Sequence, residues 1–257
     1  MNIIDRIAQR RMEYTLRQAY GQNAPIERGT NGSLFIKSDA APVPAWKVDG
    51  KSDFDKFIRR YGMSATDSEG NEVKYTMASR GSVEASKNVT MITPIYTDKG
   101  GRRWLIIQEE ARPIDIARRG QEARVLAFPA GIIGDEEAFK SESALSSAVR
   151  ELSEETGLTA KKVESLSPIV MLDGKKSITP IMTSPGLTDE STFFFKAIID
   201  SIKPSQKAVT DGGVTRGWHF VPLKHIMKWF KSISEFGKIP SGQTLSAISL
   251  LLKRTKI

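Results

Sequence analysis

Apolar and polar positions along the chain follow periods that predict strands and helices in alternation. Strands are predicted at 33–37, 72–78, 89–96, 103–109, 163–171, 178–183, 192–199 and 217–221, with a further short apolar run at 124–128. Helices are predicted at 1–20, 53–61, 142–158, 223–230 and 242–254. Because strands and helices are interspersed, the pattern favours an α/β or α+β class with a mixed β-sheet.

The first part of the chain differs in pattern from the rest. The charged helix at 1–20 has Ile4, Ile7 and Met12 loosely on one side, which predicts a weak apolar face. The segment that follows it, 21–50, is rich in Gly, Asn, Pro and Ala and predicts a loop around one short strand.

We therefore predict two units along the chain. An N-terminal subdomain would cover residues 1–85, and a larger domain would cover residues 86–257. The boundary is placed after the predicted strand at 72–78 and before the one at 89–96.

Composition limits the classes of protein that the chain can belong to. Of its 257 residues 39% are hydrophobic and 26% charged, which is typical of a globular protein and not of a disordered one. No window approaches the roughly 18 uncharged apolar residues of a membrane span, so we expect no membrane partner. The N-terminal segment mixes charges into its apolar positions and lacks the apolar run of a signal peptide.

The absence of cysteine narrows the chemistry further. It excludes disulfides, thiolate metal sites and cysteine nucleophiles, and it favours a reducing compartment, so we expect a cytoplasmic protein. His219 and His225 are the two histidines, too few for an imidazole-rich metal site. A metal ion would therefore be held by oxygen, as Mg²⁺, Mn²⁺ and Ca²⁺ are.

A formal net charge of +8 suggests a polyanionic partner. The basic residues are spread over the whole chain, without a run of five or six and without an aromatic-interleaved RNA motif. A pyrophosphate-containing substrate would satisfy the same attraction, so RNA is the less favoured alternative.

The predicted helix at 142–158 carries the strongest chemical signal. Its apolar stripe consists of Leu145, Ala148, Val149 and Leu152. Glu151, Glu154 and Glu155 share a face that flanks this stripe, since helical residues advance by about 100° each. Gly157 stands where a C-cap is expected.

Three carboxylates at this spacing are unfavourable without a partner. Like charges at helical spacing cost about 0.2–0.5 kcal/mol per pair, and the helix dipole disfavours negative charge near a C-terminus. Arg150 can pair with Glu154 but relieves only part of this repulsion. A bound divalent cation would relieve the rest; the alternative is a solvated acidic face, which is the commoner explanation of a bare Glu-x-x-Glu-Glu.

Spacing favours the metal hypothesis, because the segment resembles the Nudix box. From Glu142 the match is complete: seven residues separate it from Arg150-Glu151-Leu-Ser-Glu154-Glu155-Thr-Gly157-Leu. The first half departs from the pattern, since ten residues, not five, separate Gly131 from Glu142. This longer loop leaves the role of Glu142 open.

The resemblance implies a Nudix fold, in which a mixed sheet is sandwiched between helices, and hydrolysis of a nucleoside diphosphate linked to another group. Carried over by position, Glu151 and Glu155 would be the principal Mg²⁺ ligands, with Mn²⁺ as an alternative ion. Glu154 would be a further ligand or position water, and the backbone carbonyl of Ala130 would complete the coordination. Arg150 would orient the glutamates.

Flanking segments resemble the ADP-ribose pyrophosphatase branch of the family. Arg112 and the proline after it resemble the Arg-Pro pair that ends a strand in that branch, where the arginine contacts a substrate phosphate. Ser184, Pro185 and Gly186 resemble its Ser-Pro-Gly substrate loop, and Glu190 would help to position or deprotonate the catalytic water. Arg112 could also be an ordinary strand-end arginine, and a bare Ser-Pro-Gly is a turn signal.

Two further points limit how closely the branch can be followed. Pro185 lies further from the helix than the branch places it, which predicts an inserted hairpin at 171–179. In that branch an N-terminal subdomain contributes to a dimer and its aromatic residues stack the adenine, so we expect a homodimer. By position in the chain Trp46 is a candidate for the stacking residue, and a buried tryptophan in a small sheet is the alternative.

The most favoured activity is thus hydrolysis of ADP-ribose, a nucleotide-type small molecule, to AMP and ribose 5-phosphate. Alternatives are another Nudix substrate (an RNA or NAD cap, NADH, a nucleotide-sugar or a dinucleoside polyphosphate) and a Nudix module that binds without cleaving. The sequence has neither a P-loop nor a Gly-x-Gly-x-x-Gly or Gly-x-Ser-x-Gly motif, so ATPase, Rossmann and α/β-hydrolase functions have no support.

Overall fold

The computed structural model describes residues 2–38, 59–66, 68–79, 88–120, 122–134, 139–183, 190–206, 208, 215–234 and 238–255. The helices are α1 (Ile3–Tyr20), α2 (Pro113–Arg119), α3 (Ala144–Thr156), α4 (Ile226–Ser234) and α5 (Gly242–Thr255). The strands are β1 (Ile26–Arg28), β2 (Leu34–Lys37), β3 (Arg59–Thr66), β4 (Glu72–Ser79), β5 (Val89–Thr97), β6 (Arg103–Glu110), β7 (Arg124–Ala127), β8 (Ala130–Ile132), β9 (Ala160–Ser165), β10 (Ile169–Leu172), β11 (Lys175–Ile178), β12 (Ile181–Met182), β13 (Ser191–Ile199), β14 (Thr215–Pro222) and β15 (Lys238–Pro240).

A mixed sheet forms the centre of the described structure. Its strands lie in the order β1-β2-β14-β6-β5-β13-β12, and β7, β8, β9 and β15 pair with strands of this path. Most pairs are antiparallel, but β13 runs parallel to β5 and β15 parallel to β7. Two hairpins, β3–β4 and β10–β11, form separate two-stranded sheets. The predicted mixed sheet is confirmed.

Strand β6 shows why the sheet carries helices on both faces. Its side chains alternate between the two faces, and nearly all of them are buried. Trp104 and Ile106 pack in a core with α1 and α3, whereas Leu105 and Ile107 pack in a second core with α4 and α5. A strand buried on both faces needs a continuous apolar run, which residues 104–107 supply.

Most predicted elements are confirmed, with the following corrections. The strand predicted at 178–183 is divided, because β11 ends at Ile178 and β12 covers only Ile181–Met182. The predicted helix at 53–61 is wrong at its end, because residues from Arg59 onward form β3; its earlier residues lie outside the described part. The strand predicted at 163–171 is divided into β9 and β10 at Leu166–Pro168. Helix α2 was not predicted, since the proline after Arg112 looked like the end of a strand, whereas it occupies the first turn of a helix.

The predicted hairpin near 171–179 is present as β10–β11, with Asp173 and Gly174 in left-handed conformations at its turn. Trp46 lies outside the described residues. The division into residues 1–85 and 86–257 stays a prediction, although α1 packs in the main core and β2 pairs with β14. No helix in the part of the chain that the structure describes is long and apolar enough to cross a membrane.

Helix α1 does not present the apolar face that the sequence predicted. Met12 is fully buried in the core, but Ile4 and Ile7 are exposed. The reason is helical geometry, because Met12 lies five residues beyond Ile7 and therefore about 140° around the helix. The buried face consists of Asp5, Ala8, Gln9, Met12 and Leu16.

Asp5 is the buried charge that fastens α1 to the body. Its carboxylate contacts Arg102 at 2.9 Å, Lys224 at 2.7 Å and His225 at 3.2 Å. Burial acts in the other direction, but hydrogen bonds from Lys224 and His225 prevail and lower the pKa of Asp5 to about 2. Asp5 therefore joins α1 to the turn before β6 and to the segment before α4.

We expect Asp5→Asn to lower the free energy of unfolding at pH 7 by about 2 kcal/mol, because it leaves the partly buried Arg102 without its carboxylate. The contribution is present above the unfolded-state pKa of Asp and is lost as the pH falls towards 2. Urea unfolding at pH 7 and at pH 2.5 measures both effects. Glu72→Gln, which breaks the exposed pair with Lys74, should lower the free energy of unfolding by no more than about 0.5 kcal/mol. Equal losses of stability in both variants would contradict a stabilising role for the contacts of Asp5.

Candidate active site

Helix α3 forms where the sequence predicted it, with caps at both ends. Ser143 is the N-cap, and its side chain accepts a hydrogen bond from the backbone of Ser146 at 3.1 Å. Gly157 ends the helix in the left-handed conformation, at φ 70°. A side chain there would be strained and would also lie 2.3 Å from the backbone oxygen of Gln206.

The carboxylates of α3 do not form a solvated face. Of the predicted apolar stripe, Ala148 and Leu152 are buried, but Leu145 and Val149 are exposed. The helix is therefore rotated so that Glu151 lies on its buried side, with only 7% of the residue exposed. This rotation argues against the solvated-face alternative.

Arg150 holds several carboxylates around one guanidinium. It contacts Glu151 at 2.8 Å, Glu154 at 2.9 Å and Glu142 at 2.9 Å, and it lies over the ring of Phe139 at 4.5 Å. Glu142 also accepts a hydrogen bond from the backbone N–H of Gly134 at 3.1 Å. Glu142 thus links Gly134, near the start of the lengthened loop, to Arg150 of α3. This is a structural role, and the sequence had left the role of Glu142 open.

Gly131 makes room for the carboxylate of Glu151. It lies in β8, which pairs with β5 beside α3. A Cβ atom at Gly131 would lie 1.9 Å from Glu151 Oε1 and 2.2 Å from its Cδ. The conformation of Glu151 therefore depends on a glycine at this position.

Glu155 is the most strongly perturbed carboxyl of the site. Burial, together with the neighbouring carboxylates of Glu110 and Glu151, raises the pKa of Glu155 to about 8, although the side chain of Gln108 and the backbone N–H of Ala130 act in the opposite direction. Its Oε2 is buried and has no hydrogen-bond partner among the described residues. Such a group is a candidate for function because an uncompensated buried carboxyl is costly.

The donor set fits an oxygen-bound divalent cation. Glu151 supplies a buried carboxylate, and the buried, unpartnered Oε2 of Glu155 offers an acceptor that a cation would satisfy. Among the described residues, no group of three acidic or histidine side chains is gathered closely enough to enclose a metal ion. Mg²⁺ commonly binds one or two carboxylates and keeps several waters.

Beside Glu155 lies a cavity of 260 Å³. It is lined by Met91, Glu110, Arg112, Val125, Ala127, Phe128, Ala130, Glu155, Ser241 and Gln243. The Nε of Arg112 donates to Glu110 at 2.5 Å, while more than half of the Arg112 side chain stays exposed. Burial raises the pKa of Glu110, against the opposing effect of Arg112.

Glu190 reaches the same cavity through Gln243, at the start of α5. Gln243 Nε2 donates to Glu190 Oε1 at 3.0 Å and to Thr192 Oγ1 at 3.2 Å. Arg112, Glu155 and Ala130 thus line one cavity, and Glu190 lies behind its wall, on Gln243. Ser184, Pro185 and Gly186 lie outside the described residues, and the part played by the carbonyl of Ala130 stays a prediction.

Three polar residues of this site were missed from the sequence. Gln108 and Glu110 could have been found, because they are the polar positions on one face of a strand that is otherwise apolar on that face. Gln243 carries no local signal, since it reaches Glu190 only through the tertiary packing of α5.

Comparison with known proteins gives a family and a fold. The family model of the NUDIX domain matches residues 87–236, which is more than half of the chain. A crystal structure described as an ADP compounds hydrolase is 18% identical with a TM-score of 0.53, covering 80% of this chain and 91% of its own.

Two further structures are more distant. The NUDIX domain of Shewanella oneidensis NrtR, complexed with ADP ribose, is 12% identical with a TM-score of 0.40, covering 66% of this chain and 89% of its own. An Ap4A hydrolase of C. elegans is 14% identical with a TM-score of 0.36, covering 65% of this chain and 98% of its own. No curated protein matches the sequence.

Proposed function

Because this chain belongs to the Nudix family and is a pyrophosphohydrolase of that family, we propose that its substrate is ADP-ribose and that Mg²⁺ is its metal. The products would be AMP and ribose 5-phosphate. The observation that carries the proposal is the convergence of Arg112, Glu155 and the Gln243–Glu190 pair around one cavity. The ADP compounds hydrolase resembles this chain in fold only.

The residues of the cavity support distinct roles. Only the Nε of Arg112 donates to Glu110 in this hydrogen bond, so its remaining N–H groups can donate to a substrate phosphate. Glu190, oriented by Gln243, would accept a proton from the attacking water. As the water oxygen bonds to phosphorus, the bridging P–O bond breaks and the other phosphate leaves.

A divalent cation would be held by Glu151 and Glu155, with Glu154 as a further ligand or a water-positioning group. Bound there, Mg²⁺, or Mn²⁺ in its place, would neutralise charge on the pyrophosphate and lower the pKa of the attacking water. Arg150 would keep the glutamates in position through its pairs with Glu151 and Glu154. The same family resemblance supports a homodimer, and the lack of cysteine supports a reducing compartment such as the cytoplasm.

A substrate panel tests the proposal. With Mg²⁺ present, we expect the highest kcat/KM for ADP-ribose among ADP-ribose, NADH, a nucleotide-sugar, a dinucleoside polyphosphate and capped RNA, and no turnover in excess chelator. Release of AMP and ribose 5-phosphate, followed by chromatography, identifies the bond that is cleaved. Preference for capped RNA would overturn the substrate assignment, and turnover in chelator would overturn the metal.

Arg112→Ala is expected to raise KM for ADP-ribose by about tenfold or more, because a charge-assisted hydrogen bond to phosphate is lost. The KM of Arg112→Lys should lie between that of the parent and that of Arg112→Ala, since a lysine keeps the charge without the paired donors. Steady-state kinetics measures both. Arg118→Ala, which removes an exposed arginine near the end of α2, is the control. An unchanged KM in Arg112→Ala would mean that Arg112 pairs with Glu110 and does not bind the substrate phosphate.

A further inference from the structure

The outward face of α1 carries several exposed apolar and aromatic side chains. Four large side chains are exposed on it: Ile3 at 74%, Ile4 at 64%, Ile7 at 47% and Tyr14 at 67%. Met12 and Leu16 bury the opposite face of the helix, and Asp5 is tied to Arg102 and Lys224. The orientation of α1 is therefore fixed by its packing, and the apolar face is held outward. Isolated exposed apolar residues need no explanation, but a grouped set does.

Cations surround this apolar face. Arg6, Arg10 and Arg11 of α1 and Lys99 of the β5–β6 turn form no ion pair with any residue in the described part of the chain. A groove of 650 Å³ runs between α1 and this turn and is lined by Arg10, Arg11, Tyr14 and Lys99, among others.

The two carboxylates nearest to this face, Asp5 and Asp98, have other partners and are fewer than its cations. Asp5 lies on the buried side of α1. Asp98, in the groove, accepts hydrogen bonds from the backbone N–H groups of Gly100 and Arg102 and from the indole of Trp104, each at 2.9 Å. The outward face is consequently apolar and positively charged together.

We infer that this face of α1 binds the surface of an anionic lipid bilayer. Arginines interspersed with exposed apolar and aromatic side chains are typical of helices that lie in a bilayer interface, where apolar side chains enter the boundary and cations meet anionic headgroups. The sequence predicted no membrane partner by excluding spanning segments, and an interfacial contact is a different mode of attachment.

Two other occupants fit less well. A second copy docked by a two-fold axis would bring the arginines of both copies into one interface, with no free carboxylate to offset them. A single-stranded nucleic acid would use the arginines and stack on Tyr14, but it would leave Ile3, Ile4 and Ile7 in water. The lipid surface accounts for the apolar and the charged residues together.

The face lies away from the proposed active site. The nine residues of β5 span roughly 26 Å, with the β8 pairing beside α3 at one end and the turn beside α1 at the other. Contact with a bilayer would therefore leave the cavity at Arg112 and Glu155 open to substrate. The inference does not rest on the proposed function.

Vesicle flotation of the full chain tests the inference. We expect binding to vesicles of 70% phosphatidylcholine and 30% phosphatidylserine, weakening as salt rises, and none to pure phosphatidylcholine. Arg10→Gln/Arg11→Gln should weaken binding about tenfold or more. Ile4→Ser/Ile7→Ser should weaken it about as much, because apolar insertion is lost.

Matched variants on another exposed helix face serve as controls. Met227→Ser and Lys228→Gln, both exposed on α4, should leave binding unchanged, and all variants should keep the circular dichroism of the parent. The inference is overturned if the parent does not float, if the α4 variants lose as much binding as the α1 variants, or if an RNA 20-mer binds while vesicles do not.

Discussion

Glu155→Gln is expected to lower kcat/KM for ADP-ribose by about a thousandfold while the fold is retained. A bound cation contributes several kcal/mol of charge stabilisation in the transition state, and each 1.36 kcal/mol is a factor of ten. The amide keeps the shape of the side chain but not the charge that a cation needs. Steady-state kinetics with saturating Mg²⁺ measures the loss. Unchanged turnover would remove Glu155 from the metal site.

The same variant has a second expected effect, on stability without metal. The pKa of Glu155 is raised in the folded protein, from its ordinary value of 4.5 to about 8. The unfolded chain therefore ionises this group at a lower pH than the folded one, so the folded state loses stability as the pH rises from about 4.5 to about 8. Glu155→Gln lacks this titration, so its thermal stability in chelator should fall less between pH 5 and pH 9.

Two controls separate these effects from general damage. Glu164→Gln changes a carboxylate of β9 that pairs with Lys162 and Lys196, away from the cavity, and should keep full activity. Adding Mg²⁺ at pH 8 should raise the melting temperature of the parent but not of Glu155→Gln, because ligand that binds only the folded state stabilises it. Equal shifts in both proteins would place the ion elsewhere.

The helix that carries the site could be predicted in detail because its signals are local. The N-cap Ser143, the αL Gly157 and the glutamates at fixed spacing lie within one stretch of sequence. Its rotation could not be predicted, because Leu145 and Val149 are apolar and yet exposed. Glu151 occupies the buried side because Gly131 leaves space there, and that contact joins residues that the sequence places twenty apart.

Non-local packing also explains what was missed elsewhere. Gln243 meets Glu190 across 53 residues of chain, and no spacing rule connects them. Asp5 meets Lys224 and His225 across almost the whole chain, so a charged residue on α1 became part of its buried side. Periodicity predicted the strands of the core well, since buried strands such as β6 need continuous apolar sequence, but it could not choose which face of a weakly amphipathic helix is buried.

Gly131→Ala is expected to lower kcat/KM by about 10- to 100-fold, the usual loss when a residue that orients a metal ligand is changed. The Cβ of the introduced alanine would overlap the Glu151 carboxylate, at 1.9 Å from Oε1. The carboxylate must therefore move, whereas the extended backbone of β8 need not change. Gly62→Ala, in β3 with open space around it, should be neutral.

A double-mutant cycle decides whether Gly131 acts through Glu151. If it does, adding Gly131→Ala to Glu151→Gln should lower kcat/KM little further, because the carboxylate that the alanine displaces is already gone. Independent losses that multiply would instead mean that the alanine distorts β8 itself. In that case Gly131 would matter for its pairing with Thr90 of β5, and not for the space that it leaves for Glu151.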